Sequence, residues 1–274
     1  MEFVVQGFYS FVEVNPVTTA FETTAVSYFC RMQEVHFEDL GTRRYKETWD
    51  YQEVLLKKNT DAKSMARLQA SPVPLTSLPT QHHLLFVEHH PVYTLGKSGK
   101  SEHVLIDEEQ RNEKGIEYFH INRGGDITFH GPGQLVGYPI LDLEKFKTDL
   151  GWYLRNLEEV IILTMAEYGL EGDRSAGETG VWMDPSIAGK ERKICALGIK
   201  CSRWITMHGF AFNVNTELDY FDHIVPCGIQ NKQVTSLRKE LDHKVPMDEV
   251  KNKVKKNFEK VFGCRLVGGG VHGP

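Results

Sequence analysis

Most of the short signatures that announce a chemistry are missing from this 274-residue sequence. It has no C-x-x-C pair and no H-E-x-x-H, so neither a zinc ribbon nor a zincin-type metal site is encoded. No Lys-Ser/Thr closes a glycine loop and no G-x-G-x-x-G opens a helix, which removes the P-loop and the dinucleotide fingerprint. No apolar run approaches the roughly 18 residues of a membrane span, so no membrane association is expected. Basic excess is absent too: 32 Lys and Arg stand against 37 Asp and Glu, a net charge of −5 that argues against nucleic-acid phosphates as the main partner. Local basic patches stay compatible with that balance.

Cysteine is scarce and unpaired in pattern. Cys30, Cys195, Cys201, Cys227 and Cys264 are odd in number and far apart, and no signal peptide precedes them, so a reduced, cytoplasmic protein is the default expectation. Residues 1–31 lack any basic residue before Arg31 while carrying Glu2, Glu13 and Glu22, the reverse of a transit peptide. They read as a dispensable N-terminal extension, with an extra edge strand as the alternative. Residues 32–274 read as a single catalytic domain.

What is present is α/β in pattern. From Gly41 to Lys58, Tyr45, Trp49, Gln52 and Leu55/Leu56 recur at steps of three and four and predict a core-facing helix. Three prolines make 70–80 a loop. "HLLFVEHHPVYTLG" and "GIEYFHINRGGDITFHGPGQLVGYPILDL" predict short strands joined by glycine turns. A 3.6-residue period predicts a helix from Leu150 to a stop at Gly169. Strand-like "GVWM", "KICALGIKC" and "ITMHGFAFNV" follow. Met247, Val250, Val254, Phe258, Val261 and Phe262 then mark a last helix closed by Gly263. The expected architecture is a mixed β-sheet flanked by helices, with room for a small C-terminal subdomain.

Two stretches carry candidate chemistry. "RGGDITFHGPGQLVGYPI", from Arg123 to Ile140, places five glycines beside one arginine and one histidine. Glycine is used where a ligand must approach the main chain closely. The stretch leads into a strand rather than a helix, so phosphate cradling is disfavoured. A strand–turn–strand lying along an elongated ligand, flanked by Arg123 and His130, fits better, and a plain glycine hairpin is the alternative. In "HIVPCGIQN", Cys227 is pinned between Pro226 and Gly228 in a turn, a setting that presents a thiol, whereas Cys195 and Cys201 sit in strand-like runs and read as core; Cys264, beside Gly263, has no such setting. Position alone leaves nucleophile and ordinary loop thiol level for Cys227. A nucleophilic thiol needs a nearby cation, and the candidates are Lys193, His208 and His130. His130-Gly131 and His208-Gly209 repeat one dipeptide, which suggests two strands meeting at one pocket. His82-His83 and His89-His90 are neighbours that point to opposite faces of a strand, so each pair supplies one ligand at most, and no metal is expected.

Taken together, "EHHPVYTLGKSGK", "RGGDITFHGPGQLVGYPI", "KICALGIK", "MHGFAFNVN" and "VPCGI", in this order and spacing over roughly residues 34 to 264, closely resemble the octanoyltransferases of lipoate biosynthesis. The resemblance implies a fold similar to biotin and lipoate protein ligases. It implies transfer of octanoyl from acyl carrier protein to a lysine on the lipoyl domains of 2-oxoacid dehydrogenases and on the glycine-cleavage H protein, without a cofactor. It assigns the acyl-thioester cysteine to Cys227 and the lysine that lowers its pKa to Lys193. The acyl-binding segments fall on Arg123, Gly124, Gly125, Asp126, Ile127, Thr128, Phe129 and His130, on Ala196, Leu197 and Gly198, and on Gly209, Phe210 and Ala211. The family often has Tyr where Phe129 stands, and Asp126 occupies a variable position. Lys190, Arg192 and Lys193, with Lys97 and Lys100, form the basic cluster expected to receive the acidic carrier protein. An ATP-dependent lipoate ligase of the same fold and a catalytically silent lipoyl-domain-binding module are competing readings, and a papain-like cysteine protease is a third, disfavoured because Cys227 follows a strand-like run rather than opening a helix.

Overall fold

A computed structural model describes residues 32–68, 77–225 and 233–271. The expectations for residues 1–31, for most of the proline-rich loop and for Cys227 therefore lie outside the described residues.

Strand β1 (Gln33–Arg43) leads into helix α1 (Tyr45–Arg67), then β2 (His82–His89) and β3 (Val92–Leu95). A short helix α2 (Glu108–Glu113) precedes β4 (Glu117–His120), β5 (Ile127–His130) and β6 (Gln134–Ile140). Helix α3 (Leu150–Ala166) is followed by β7 (Val181–Met183), β8 (Arg192–Ser202), β9 (Ile205–Asn213), β10 (Gln233–Val234), α4 (Leu237–Leu241), α5 (Met247–Phe262) and β11 (Cys264–Val271). An eight-stranded mixed sheet runs in the order β10-β8-β9-β6-β2-β1-β11, with β7 on β8. A second, three-stranded sheet has the order β4-β3-β5.

Strand alternation builds two layers on the large sheet. Leu84 and Phe86 of β2 and Phe210 and Phe212 of β9 pack with Tyr153, Leu157 and Ile161 of α3 and Val254 and Phe258 of α5. Leu85 and Val87 of β2, Val136 and Tyr138 of β6 and Met207 of β9 pack with Leu55 and Leu56 of α1. The large sheet is thus covered by helices on both faces, as the sequence pattern predicts.

Three expectations need correction. The first helix begins at Tyr45, not Gly41, because β1 continues through Arg43, which pairs with His89 of β2. It also runs nine residues past Lys58, and its last turns bury polar side chains that no apolar period reveals. Asn59 bonds the backbone of Gln81 in both directions, and Lys63 pairs with Asp142 and Glu144. The C-terminal segment forms no subdomain: β11 pairs in parallel with β1 and α5 packs on α3. Finally, Cys195 is buried as predicted, but Cys201, also read as core, is only half-buried. Cys264, for which the pattern makes no such prediction, opens β11 and is buried in the α3/α5 core, where burial pushes its thiol up to about 12.

The glycine stretch does form a strand–turn–strand, but not a hairpin. β5 belongs to the small sheet and β6 to the large one, so the turn at 131–133 carries the chain from one sheet to the other. That crossing creates the cleft between them.

Candidate active site

The cleft holds a mostly apolar cavity with a few converging polar groups, the usual make-up of a small-molecule site. One wall is the glycine stretch, through Arg123, Gly125, Asp126, Ile127, Thr128 and His130. The floor is the β8/β9 ladder, where Ala196 pairs with Ala211, Leu197 with Phe210 and Gly198 with Gly209. Lys193 lines the same cavity from the start of β8. Segments separated by some ninety residues in sequence thus face one space.

Two of the expected binding residues stand outside its wall. Gly124 docks the stretch onto the ladder, its N–H donating to Ile199 O at 2.9 Å. Phe129 packs instead in the small-sheet core and stacks on Tyr220, with ring centroids 4.6 Å apart and a 5° interplanar angle. Cys227 lies outside the described residues, but the chain is placed on both sides of 226–232. Val225 N–H donates to His103 O at 2.8 Å, and β10 runs parallel to Arg192–Lys193. Phe221 before that segment and Val234 after it both line the cavity.

The polar end of the cavity is a connected network. His130 Nδ1 lies 2.9 Å from Gln134 Oε1, and Gln134 Nε2 donates to Phe129 O and to Asn213 Oδ1. Asn213 in turn donates to Thr235 O, and Thr235 Oγ1 bonds Glu240, which pairs with Arg192. Tyr45 stacks parallel on His130 with centroids 6.0 Å apart, and Tyr138 reaches His89 Nε2 at 2.8 Å. Arg123 is buried at the other flank, where its guanidinium donates to Thr94 O, Thr94 Oγ1 and Gly124 O.

His208 stands out in conformation. Its backbone is left-handed at φ 60°, a cost of about 1–3 kcal/mol for a non-glycine residue that commonly marks a functional position. Its N–H donates to Gln52 Oε1, and Nε2 is buried with no hydrogen-bond partner among the described residues. Burial, reinforced by the Arg123 and Lys200 charges, lowers the His208 pKa to about 3, so the ring is neutral. Burial likewise holds His89 down at about 4 and His130 well below the ordinary histidine range. None of these imidazoles is a cation at neutral pH, and of the three candidate activating groups only Lys193 supplies a positive charge to the cavity.

The basic cluster is smaller than expected. Arg192 is neutralised by Glu240 at 2.6 Å and Asp184 at 2.6 Å, because it ties β8 to α4. Lys190, Lys97 and Lys100 are exposed. Sequence reasoning had also missed Tyr45 as a cavity residue, together with Gln134, Tyr138, Thr179 and Asn213. Gln134 faces Asn213 across the β6/β9 pair, a proximity that only strand pairing creates.

The model of the lipoyl protein ligase A/B catalytic domain matches residues 44–259. An octanoyltransferase of Christiangramia forsetii is 54% identical over 235 residues, covering 85% of this chain and 98% of that protein. One of Flavobacterium johnsoniae is 55% identical over 236 residues, covering 86% and 99%. Among solved structures, a bipartite lipoate protein ligase of Thermoplasma acidophilum superposes with a TM-score of 0.61 at 16% identity, covering 88% of each chain, a likeness of fold.

Proposed function

The chain belongs to the octanoyltransferases of the lipoyl protein ligase A/B catalytic family, and from that membership we propose a two-step transfer of octanoyl from acyl carrier protein, through Cys227, to a lysine of lipoyl domains. The observation that carries the proposal is the meeting of Lys193, the glycine stretch and the β8/β9 backbone around one cavity, with the chain leaving its wall at Phe221 and rejoining it at Val234.

In the first step the Cys227 thiolate attacks the carbonyl carbon of the octanoyl thioester. The carbon–sulfur bond to the carrier breaks, and the carrier thiolate departs and takes up a proton. One thioester replaces another, so no ATP is consumed. Lys193⁺ favours the attacking thiolate. In the second step the neutral amine of the acceptor lysine attacks the acyl-enzyme carbonyl. An amide forms, the amine proton is lost, and the Cys227 thiolate is regenerated. Backbone N–H groups near Ala196 to Gly198, or after Pro226, are the candidates to receive the developing oxyanion.

The acyl chain lies along the apolar part of the cavity, against Ile127, Val136, Leu197 and Phe210. Acceptors are the lipoyl domains of 2-oxoacid dehydrogenases and the glycine-cleavage H protein, and the site of action is the cytoplasm. The exposed lysines 190, 97 and 100 steer the acidic carrier, an effect that salt screens.

The test is transfer of octanoyl from octanoyl-carrier protein to a purified lipoyl domain with no nucleotide present. Octanoylated domain at the same rate with and without ATP is the expected result. Octanoylation from free octanoate that strictly requires ATP would instead identify a ligase.

A further inference from the structure

We propose that Trp182 is the positioning residue for Lys193, holding its ammonium where it acts on the Cys227 thiolate; this rests on the reading of Lys193 given above. Trp182 of β7 is the cross-strand partner of Lys193 of β8 in an antiparallel pair, so the two side chains leave the sheet on the same face. Lys193 Nζ lies 4.5 Å from the centre of the indole, inside the ~6 Å reach of a cation–π contact. The ring is 2% exposed and cannot follow a moving ammonium. Its strand is pinned on the far side, where Trp182 and Asp173 exchange both backbone hydrogen bonds, at 2.8 and 2.9 Å.

The stem of Lys193 runs beside a glycine that leaves it room. Gly180 has φ 114°, a conformation that L side chains rarely adopt, and a Cβ there would sit 3.4 Å from Lys193 Cε, 3.5 Å from Cδ and 2.6 Å from Cys195 O. Gly180 N–H donates to Glu158 Oε1 at 3.0 Å, and Glu158, fully buried, is held by Arg155 and Arg174. Glycine at this position leaves the space beside the methylenes to the lysine stem, whose ammonium meets the indole.

A lysine stem has four rotatable bonds and no directional fork of its own, so its ammonium acts at a fixed point only if the surroundings confine it. Nearby, Arg192 pairs with Glu240 and Asp184, and Glu158 with Arg155 and Arg174. Cys195, the nearby buried thiol, is pushed up by burial and stays uncharged. The 4.5 Å approach of the ammonium to the indole gives Trp182 a role distinct from packing, in which its π face rather than its volume meets the charge.

The experiment follows alkylation of Cys227 by iodoacetamide, read by peptide mass spectrometry against pH, together with single-turnover acylation from octanoyl-carrier protein. It uses the full chain and compares Trp182→Leu, Trp182→Phe, Lys193→Ala and a series with fluorinated tryptophan at position 182. Fluorination keeps the shape of the ring and progressively weakens its quadrupole, so it remains informative if Trp182→Leu fails to fold.

Trp182→Leu is expected to move the alkylation profile to higher pH and slow acylation by about 2- to 30-fold. Trp182→Phe restores most of the loss, and each added fluorine shifts the profile further. A profile unmoved by fluorination or by Trp182→Leu, while Lys193→Ala shifts it, would overturn the role of Trp182 and leave that of Lys193 standing. A profile unmoved by Lys193→Ala would overturn the reading of Lys193 itself.

Discussion

His130 and Gln134 are joined across the turn between the two sheets, with Nδ1 of the imidazole 2.9 Å from Oε1 of the amide. Because Gln134 Nε2 is already spent on Phe129 O and Asn213 Oδ1, Oε1 must accept, and His130 carries its proton on Nδ1. The opposite ring nitrogen, Nε2, is left as an acceptor. Gln134→Leu strands three buried polar groups at once. We expect a loss of about 2–4 kcal/mol in guanidinium unfolding, since each unsatisfied group costs on the order of 1–3 kcal/mol and the surroundings relax in part. A change below about 1 kcal/mol would contradict this account of the network.

Arg123 is a brace as much as a wall. Its guanidinium reaches Thr94 O at 2.7 Å and Thr94 Oγ1 at 3.0 Å, and so ties the glycine stretch to β3. A lysine ammonium is a point charge and cannot reproduce this planar set of bonds. Arg123→Lys should raise KM for the octanoyl donor by roughly 10-fold, about 1.4 kcal/mol, with a smaller change in kcat. Steady-state kinetics decide it, and an unchanged KM would count against Arg123 as an organiser of the acyl wall.

Gly209 makes possible the close approach of β9 to β6. A Cβ at this position would meet Gly137 O at 2.2 Å and Pro139 Cδ at 2.6 Å, contacts that require the strands to separate. Gly209→Ala should cost about 1–3 kcal/mol through overpacking and distort the cavity floor, with lower acylation rates even where the protein stays folded. Thermal melts and single-turnover loading report the two effects separately.

The buried histidines predict how stability depends on pH. His82 and His89 are held down at about 4 and His208 at about 3, in each case mainly by burial. In the unfolded chain each binds a proton near pH 6.5, so between that pH and the folded value the unfolded state holds more protons, and stability falls as pH falls. Each histidine contributes a slope of up to about 1.4 kcal/mol per pH unit in that window. Denaturant unfolding from pH 7.5 to 5 should show progressive loss. A flat profile would mean that these rings are protonated in the native state.

How much of this was legible in the sequence depended on whether a residue announces itself locally. Helix α5 was legible to its last residue because Val250, Val254 and Phe258 repeat with the helical period and Gly263 follows. The end of α1 was not, because Asn59 and Lys63 bury polar atoms whose partners, Gln81 and Asp142, lie far away in the chain. The cavity-forming segments were recognisable as motifs, and the structure gathers most of them around one space. Gln134, Asn213 and Tyr138 were invisible because only the pairing of β6 with β9 and the packing of β2 bring them to it. The neutrality of His130 and His208 was likewise hidden, since it arises from burial that the dipeptides do not encode.

The central claim is that Cys227 carries the octanoyl group, and intact-protein mass spectrometry after incubation with octanoyl-carrier protein tests it most directly. One octanoyl mass added to the chain, mapped to Cys227 and removed by hydroxylamine, is the predicted result. An unshifted mass, under conditions that load a known octanoyltransferase, would contradict it.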